Sequence, residues 1–256
     1  MALVALVAAA TLWLALTDSL QLYIHPRYIV FTVTMTVIAA LLMVGSLVAA
    51  RRRKAHQHDH GDEHDHEHGH GDEIEVPASR RGRLISIAGV VLAGGLAVTM
   101  LVLPPATLSS ATAEQRDLTA SSFGAETQDA EAVADSSADT FASFTVVDWS
   151  YLLRQTGDPS FYAGKPVDVV GFVSEHPDGA AMFTVARFTV TCCAVDAQPS
   201  GIPVYLEGWS DEFEVDSWVR VTGEFTTNPS RDSEQPVVLV PDAVEQVEQP
   251  SDPYLF

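Results

Sequence analysis

Two stretches of this 256-residue chain carry side chains suited to metal or thiol chemistry. The first, His56-Gln-His-Asp-His60-Gly-Asp-Glu-His64-Asp-His66-Glu-His68-Gly-His70, holds seven of the nine histidines. Neutral imidazole binds zinc, nickel and copper, and near-alternating rings on a pliable chain can converge on one ion. His56, His58, His60, His64, His66, His68 and His70 are therefore candidate ligands, with Zn2+ or another divalent transition metal as the cofactor. Nothing in the spacing fixes a geometry, so the tract suits a buffer or collecting arm rather than a catalyst. A solvated polar loop is the competing reading.

The second stretch is Arg187-Phe-Thr-Val-Thr-Cys-Cys-Ala-Val-Asp-Ala-Gln-Pro199. On a regular strand, neighbouring side chains face opposite ways, so Cys192 would share a face with Phe188 and Val190, and Cys193 with Thr189 and Thr191. One ion takes both thiolates only where the strand breaks, and Asp196-Ala-Gln-Pro reads as a turn. Cys192, Cys193 and Asp196 then make a partial thiolate and carboxylate site that His176 could complete. Three other readings stay open. Cys192 could be a small apolar core residue; the pair could form a strained vicinal disulfide; thiol redox catalysis would favour a Cys-x-x-Cys spacing, which is missing. His25 reads as an interfacial polar residue. No Ser-His-Asp pattern, paired-carboxylate signature, phosphate loop or H-E-x-x-H helix is present, so the expectation is a protein that is not an enzyme.

Apolar runs position these groups. Residues 2–24 form a first expected membrane helix, with a signal peptide as the rival reading. Tyr28 to Ala50 is uncharged and long enough to cross a bilayer, and Leu84 to Leu103 is a third expected span, halted by Pro104-Pro105. Gly89 and Ala93 give that third span a small-residue face. Arg51, Arg52, Arg53 and Lys54 precede the histidines, and Arg80, Arg81 and Arg83 follow them. Basic clusters beside spans mark the cytoplasmic side. The expected topology is a multi-pass membrane protein. It divides into an N-terminal helix pair over 1–50, a cytoplasmic His-rich loop over 51–83 and a third helix over 84–103. A flexible acidic linker over 104–140 and an extracytoplasmic β domain over 141–256 complete it.

The composition after residue 103 is acidic, with 25 Asp and Glu against 6 Lys and Arg. That excludes nucleic acid as a natural partner. Residues 106–140 have few large apolar side chains and read as a tether. Asp148 reads as the cap of a short helix whose Trp149, Leu152 and Leu153 share a face, ended by Gly157-Asp-Pro. Strands are expected over Pro166–Ser174, Ala181–Cys193, Ile202–Glu207, Ser217–Phe225 and Pro236–Val240. Five strands and a helix suit an OB-like barrel, with an unrelated β-sandwich as the alternative.

Several phrases together resemble one family. They are Tyr23-Ile-His-Pro-Arg27, Leu103-Pro-Pro-Ala-Thr-Leu108, Gly171-Phe-Val173, Arg187-Phe188, Cys192-Cys-Ala-Val-Asp-Ala197, Trp218-Val-Arg-Val-Thr-Gly223 and Pro250-Ser-Asp-Pro-Tyr254. The chain resembles the YcgQ-like bacterial membrane proteins, regarded as permease subunits. Val195 departs from the small residue expected at its place, and the His tract looks like an insert outside the family pattern. The resemblance implies a larger integral-membrane permease as partner and a link to zinc or another divalent metal.

The leading expectation is thus an accessory subunit of a permease, acting in divalent metal transport or homeostasis. Membrane lipid surrounds it, and a homo-oligomer is compatible with three spans. The alternative is a membrane-tethered module that recognises a protein or an envelope polymer and has no metal role. A thiol-dependent envelope enzyme is a third reading.

Overall fold

The computed structural model describes residues 2–56, 89, 91, 92, 94, 95, 99, 107–116, 129–179, 181–231, 233 and 235–256. They belong to two compact units. One comprises Met1–Leu20 and Pro26–Pro105, the other Gln21–His25 and Ala106–Phe256.

In the first unit, α1 (Ala2–Leu16) and α2 (Pro26–His56) are the continuous helices. Pro26 opens α2 at a position where its missing N–H costs nothing. The stretch Pro26–Ala49 has a mean hydropathy of 2.2 over its most apolar window, none of it buried, and 24 residues suffice to cross a bilayer. It is the one helix among the described residues that does. The expected first span is shorter than a crossing needs, because α1 stops at Leu16 and Asp18 takes a left-handed φ of +54°. The expected third span lies mostly outside the described residues, although 89, 91, 92, 94, 95 and 99 are helical. His56 is the last residue of α2, and His58, His60, His64, His66, His68 and His70 lie outside the described residues.

The second unit is rich in β structure. Its strands are β1 (Pro166–Glu175), β2 (Met182–Thr189), β3 (Gln198–Tyr205), β4 (Trp218–Thr227), β5 (Val237–Gln246) and β6 (Tyr254–Leu255). They form one six-stranded sheet in the order β1-β4-β5-β3-β2-β6, and β1 also pairs with β2. Gly171 lets β1 serve both neighbours. A Cβ there would lie 2.6 Å from the Ala186 carbonyl oxygen and 2.7 Å from Val185 Cγ1. Where β4 meets β5 the register slips by one residue, from Thr222 opposite Ala243 to Gly223 opposite Pro241. Pro241 is tolerated at such a bulge, and Gly223 gives the bulged backbone room.

Five short helices precede β1 or lie close before it: α3 (Ser110–Gln115), α4 (Ala130–Val133), α5 (Ala138–Ala142), α6 (Val146–Gln155) and α7 (Pro159–Tyr162). A sixth, α8 (Trp209–Glu212), links β3 to β4. The expected tether over 106–140 is thereby revised for its described part, since Ala113 and Val133 are buried. Local composition missed this because these short segments gain order from residues distant in sequence, in the two apolar clusters. The cap of α6 is Thr145, not Asp148. Asp148 is the third helical residue and completes a capping box, accepting the Thr145 N–H at 2.8 Å.

Trp149 and Leu152 of α6 are fully buried in the main core, with Phe183, Val185, Ile202, Val219 and Val221 from the strands. A second apolar cluster joins Ala113, Phe172, Ala186, Phe188, Val190, Ala197 and Tyr254. Every residue of β2 is buried, because Phe183 and Val185 face the first cluster while Ala186 and Phe188 face the second. The continuous apolar reading of β2 follows from this two-sided burial.

On the outer face, Arg220 Nε donates to Asp168 Oδ1 at 2.7 Å, across β4 and β1. That hydrogen bond holds the Asp168 carboxyl below the usual carboxylate range, against a smaller opposing effect of burial. A depressed folded pKa stabilises the fold above the unfolded value of about 3.9, and the contribution is lost as pH falls through the folded value. Asp168→Asn is expected to lower the urea midpoint of the full chain slightly at pH 7, as befits a half-exposed pair. The difference from wild type should shrink as pH falls below the unfolded value of about 3.9 and vanish once the carboxyl is protonated in both states; a difference that persists with the carboxyl fully protonated would contradict this assignment.

Candidate metal centre

The thiol turn begins where β2 stops pairing with β3, at Thr189 opposite Gln198. The expected strand ran on to Cys193. The chain instead leaves the sheet after the Val190 N–H donates to the Leu255 carbonyl at 2.9 Å. A 3-10 turn over Ala194–Asp196 then leads back to β3. The break that a shared ion requires is therefore present.

Asp196 holds the turn in shape. Its Oδ2 accepts the Cys192 N–H at 2.8 Å and the Cys193 N–H at 3.2 Å, and its Oδ1 accepts the Thr191 N–H at 3.2 Å. In return the Asp196 N–H is directed at the Cys193 side chain. The outer side of the turn is fixed by Arg116, which follows α3. Its guanidinium donates to the Ala197 carbonyl and, at 3.2 Å, to the Val195 carbonyl.

A second segment lies against the turn. The His25 N–H donates to the Cys192 carbonyl at 3.0 Å, and the Ala194 N–H donates to the Tyr23 carbonyl at 2.8 Å. Ile24 and Cys193 are thereby opposed as an antiparallel bridge. The chain end closes the same neighbourhood. Gln21 Nε2 donates to the Ser251 carbonyl at 3.2 Å, and the His25 ring meets the Phe256 ring edge-on at 4.8 Å.

One ligand atom each from Cys192, Cys193 and Asp196 lies within 4.8 Å of the other two, the sole such group among the described residues. Zn–S bonds of about 2.3 Å in a tetrahedron place two sulfurs about 3.8 Å apart. Closure around an ion thus requires side-chain adjustments of about 1 Å. A carboxylate has roughly four lone-pair positions, and Asp196 uses three of them on backbone donors, leaving one at Oδ1 for a cation. Three such ligands would leave a fourth tetrahedral position open, unlike the four-ligand set of a closed structural zinc site.

Cys192 is exposed and Cys193 half-buried. The core-packing reading is thereby corrected for Cys192, because the turn carries it off the buried strand. The adjacent Cys193 sulfur, first by hydrogen bonding and then by charge, pushes the Cys192 thiol above its ordinary pKa, with lesser help from burial and Asp196. A bound cation would reverse that balance and expel the proton. No disulfide joins the pair. His176 does not complete the group. It sits on the β1–β2 hairpin, where its Nδ1 accepts the Asp178 N–H at 3.1 Å, and burial lowers its pKa.

Sequence reasoning therefore picked out three residues that the structure brings together and missed what holds them. The signals for Arg116 and for Tyr23–His25 lay in segments far from the cysteines. Only the phrase Tyr23-Ile-His-Pro-Arg27, noted for its resemblance, drew attention to one of them.

With this geometry established, the chain can be set beside known proteins. Residues 1–119 match the DUF1980 N-terminal domain and residues 125–256 the DUF1980 C-terminal domain, so the chain belongs to the DUF1980 family. No curated protein matches it. Among solved structures, OBody AM3L09 bound to hen egg-white lysozyme is 19% identical over 35% of this chain and 86% of its own, with a TM-score of 0.23. OBody AM2EP06 bound to the same protein is 21% identical over 35% and 84%, with a TM-score of 0.22.

Replacing Asp196 by Ala is expected to release the turn without unfolding the sheet. Hydrogen exchange should quicken at the Thr191, Cys192 and Cys193 amides and stay unchanged at Phe183–Ala186. Unchanged exchange at all of them would remove Asp196 from this role.

Proposed function

We propose, with membership of the DUF1980 family as the premise, that this chain is an accessory subunit of a larger membrane permease that handles a divalent metal, zinc foremost. The cargo ion is taken by Cys192, Cys193 and the free lone pair of Asp196. The single observation carrying this reading is the convergence of two thiols and a carboxylate on a turn whose outer thiol faces solvent. The open fourth position suits handover, because an incoming ligand can bind before an outgoing one leaves. The histidine tract, His56 to His70, serves as a second and looser store on the cytoplasmic side.

In the same reading the fold is an OB-type barrel. The pairings of β1 with β2, β2 with β3, β3 with β5, β5 with β4 and β4 with β1 run in a closed circuit, which supports that assignment. The α1–α2 pair and a third span over Leu84–Leu103 anchor the chain, with the barrel outside the plasma membrane.

A second reading has one observation in its favour. A cleft of about 750 Å³ lies beside α6 and the β1–β2 hairpin, lined among others by Arg116, Ser150, Arg154, His176 and Thr184. It suits a tethered module that binds a protein or envelope polymer.

Zinc titration of the full chain separates these readings. Wild type should lose one tight equivalent in Cys192→Ser/Cys193→Ser and the weaker equivalents when residues 56–70 are deleted, with protons released on binding. The permease should co-purify with the tagged chain. Unchanged stoichiometry and affinity in both variants would end the metal reading and favour the cleft.

A further inference from the structure

The thiol turn, Cys192–Asp196, is bonded to the residues that directly precede α2. His25 donates to Cys192, and Pro26, the next residue, begins the apolar stretch Pro26–Ala49. At 1.5 Å per residue a helix of that length covers about 36 Å, more than the roughly 30 Å of bilayer hydrocarbon. A crossing α2 therefore puts His25 at the level of the lipid headgroups. Bonded neighbouring strands lie only about 4.8 Å apart, so the Cys192–Cys193 backbone is held at that same level.

The side chains around the turn fit such a place. Val195, at the tip of the 3-10 turn, is 83% exposed, and Phe256 and Tyr23 are 43% and 41% exposed. Ile24 lies opposite Cys193 with the two hydrogen bonds on either side of the pair, which makes it a wide, non-hydrogen-bonded pair. In such pairs the Cα atoms are about 4.5 Å apart and the side chains project together. Valine, phenylalanine and tyrosine exposed on segments bonded around one turn gain from shallow insertion among headgroups, where the phenol stays hydrated.

We infer that the thiol turn, through Val195, Tyr23 and Phe256, docks on the lipid headgroup surface of the bilayer that α2 crosses. The cysteines are then presented along the membrane plane, where an ion leaving them is already beside the mouth of an integral-membrane partner. The inference rests on α2 being a membrane span, as proposed above, and is independent of metal binding.

Short-range quenching in phosphatidylcholine vesicles tests it with the full chain and no metal present. A bimane label is placed on Cys192 in Cys193→Ser, and on Val195→Cys in the Cys192→Ser/Cys193→Ser background. In that background Pro177→Cys provides a reference on the β1–β2 hairpin, at the far end of β2, eight residues or about 26 Å from the turn. Ile38→Cys, within α2, reports insertion of that helix by itself. A nitroxide on the headgroup should quench the labels at 192 and 195 severalfold more than the label at 177. A nitroxide at acyl position 16 should quench chiefly the label at 38. Labels at 192 and 195 quenched no more than 177, with 38 still quenched, would overturn the docking while leaving the span intact. Loss of quenching at 38 would overturn both the span and the docking built on it.

Discussion

One carboxylate organises the turn that carries both cysteines. Asp196 gathers the N–H groups of Thr191, Cys192 and Cys193, three donors that the sheet no longer satisfies once β2 has ended. An ionised acceptor makes stronger hydrogen bonds than a neutral one, so the turn has a defined shape although part of it is exposed. That shape brings two adjacent cysteines, which on a strand would point apart, to within ligand distance of each other. Asp196 thus acts on the backbone, through three of its roughly four lone-pair positions.

Around this carboxylate the chain builds a layer from distant pieces. Arg187 of β2 is buried, donates to the Val170 carbonyl at 3.2 Å and the Asp252 carbonyl at 2.7 Å, and lies over the Trp218 ring with 5.1 Å between guanidinium and centroid. A guanidinium keeps its charge even where burial lowers its pKa, as here. It therefore ties the chain end to the sheet through carbonyl groups, and Tyr254 extends the tie by accepting the Leu108 N–H at 3.0 Å. The result is a second apolar cluster over the outer face of β2, to which Leu22, Leu108 and Trp218 contribute at the edge. The thiol turn, the C-terminal strand β6 and the Tyr23–His25 segment all meet at its border.

This arrangement gives the proposed metal handling a physical basis. The turn that carries the two thiols and the carboxylate is held by hydrogen bonds from two sides, so ligand exchange at the proposed site would not disturb the sheet. The buried aromatic group around Trp149, with Phe225 at 5.1 Å and Phe144 at 5.3 Å between ring centroids, lies in the other cluster and steadies the sheet separately.

The sequence by itself determined what depends on local pattern. The apolar run after Pro26 specifies a helix long enough to cross a bilayer, and the spacing of Trp149 and Leu152 specifies the buried face of α6. The approximate places of β1 to β5 follow from their apolar and β-branched residues, and Cys192, Cys193 and Asp196 were legible as a candidate set. Tertiary structure alone decided where β2 ends, that β6 exists, and that Arg116 and His25 meet the thiol turn. It also decided that residues 110–115 and 130–133 fold into the two apolar clusters rather than hang free. These outcomes rest on hydrogen bonds between residues as far apart as Gln21 and Ser251, 230 positions in sequence. Periodicity within a window of a few residues carries no information about such partners, because they become neighbours only when the apolar faces of the strands have closed on one another.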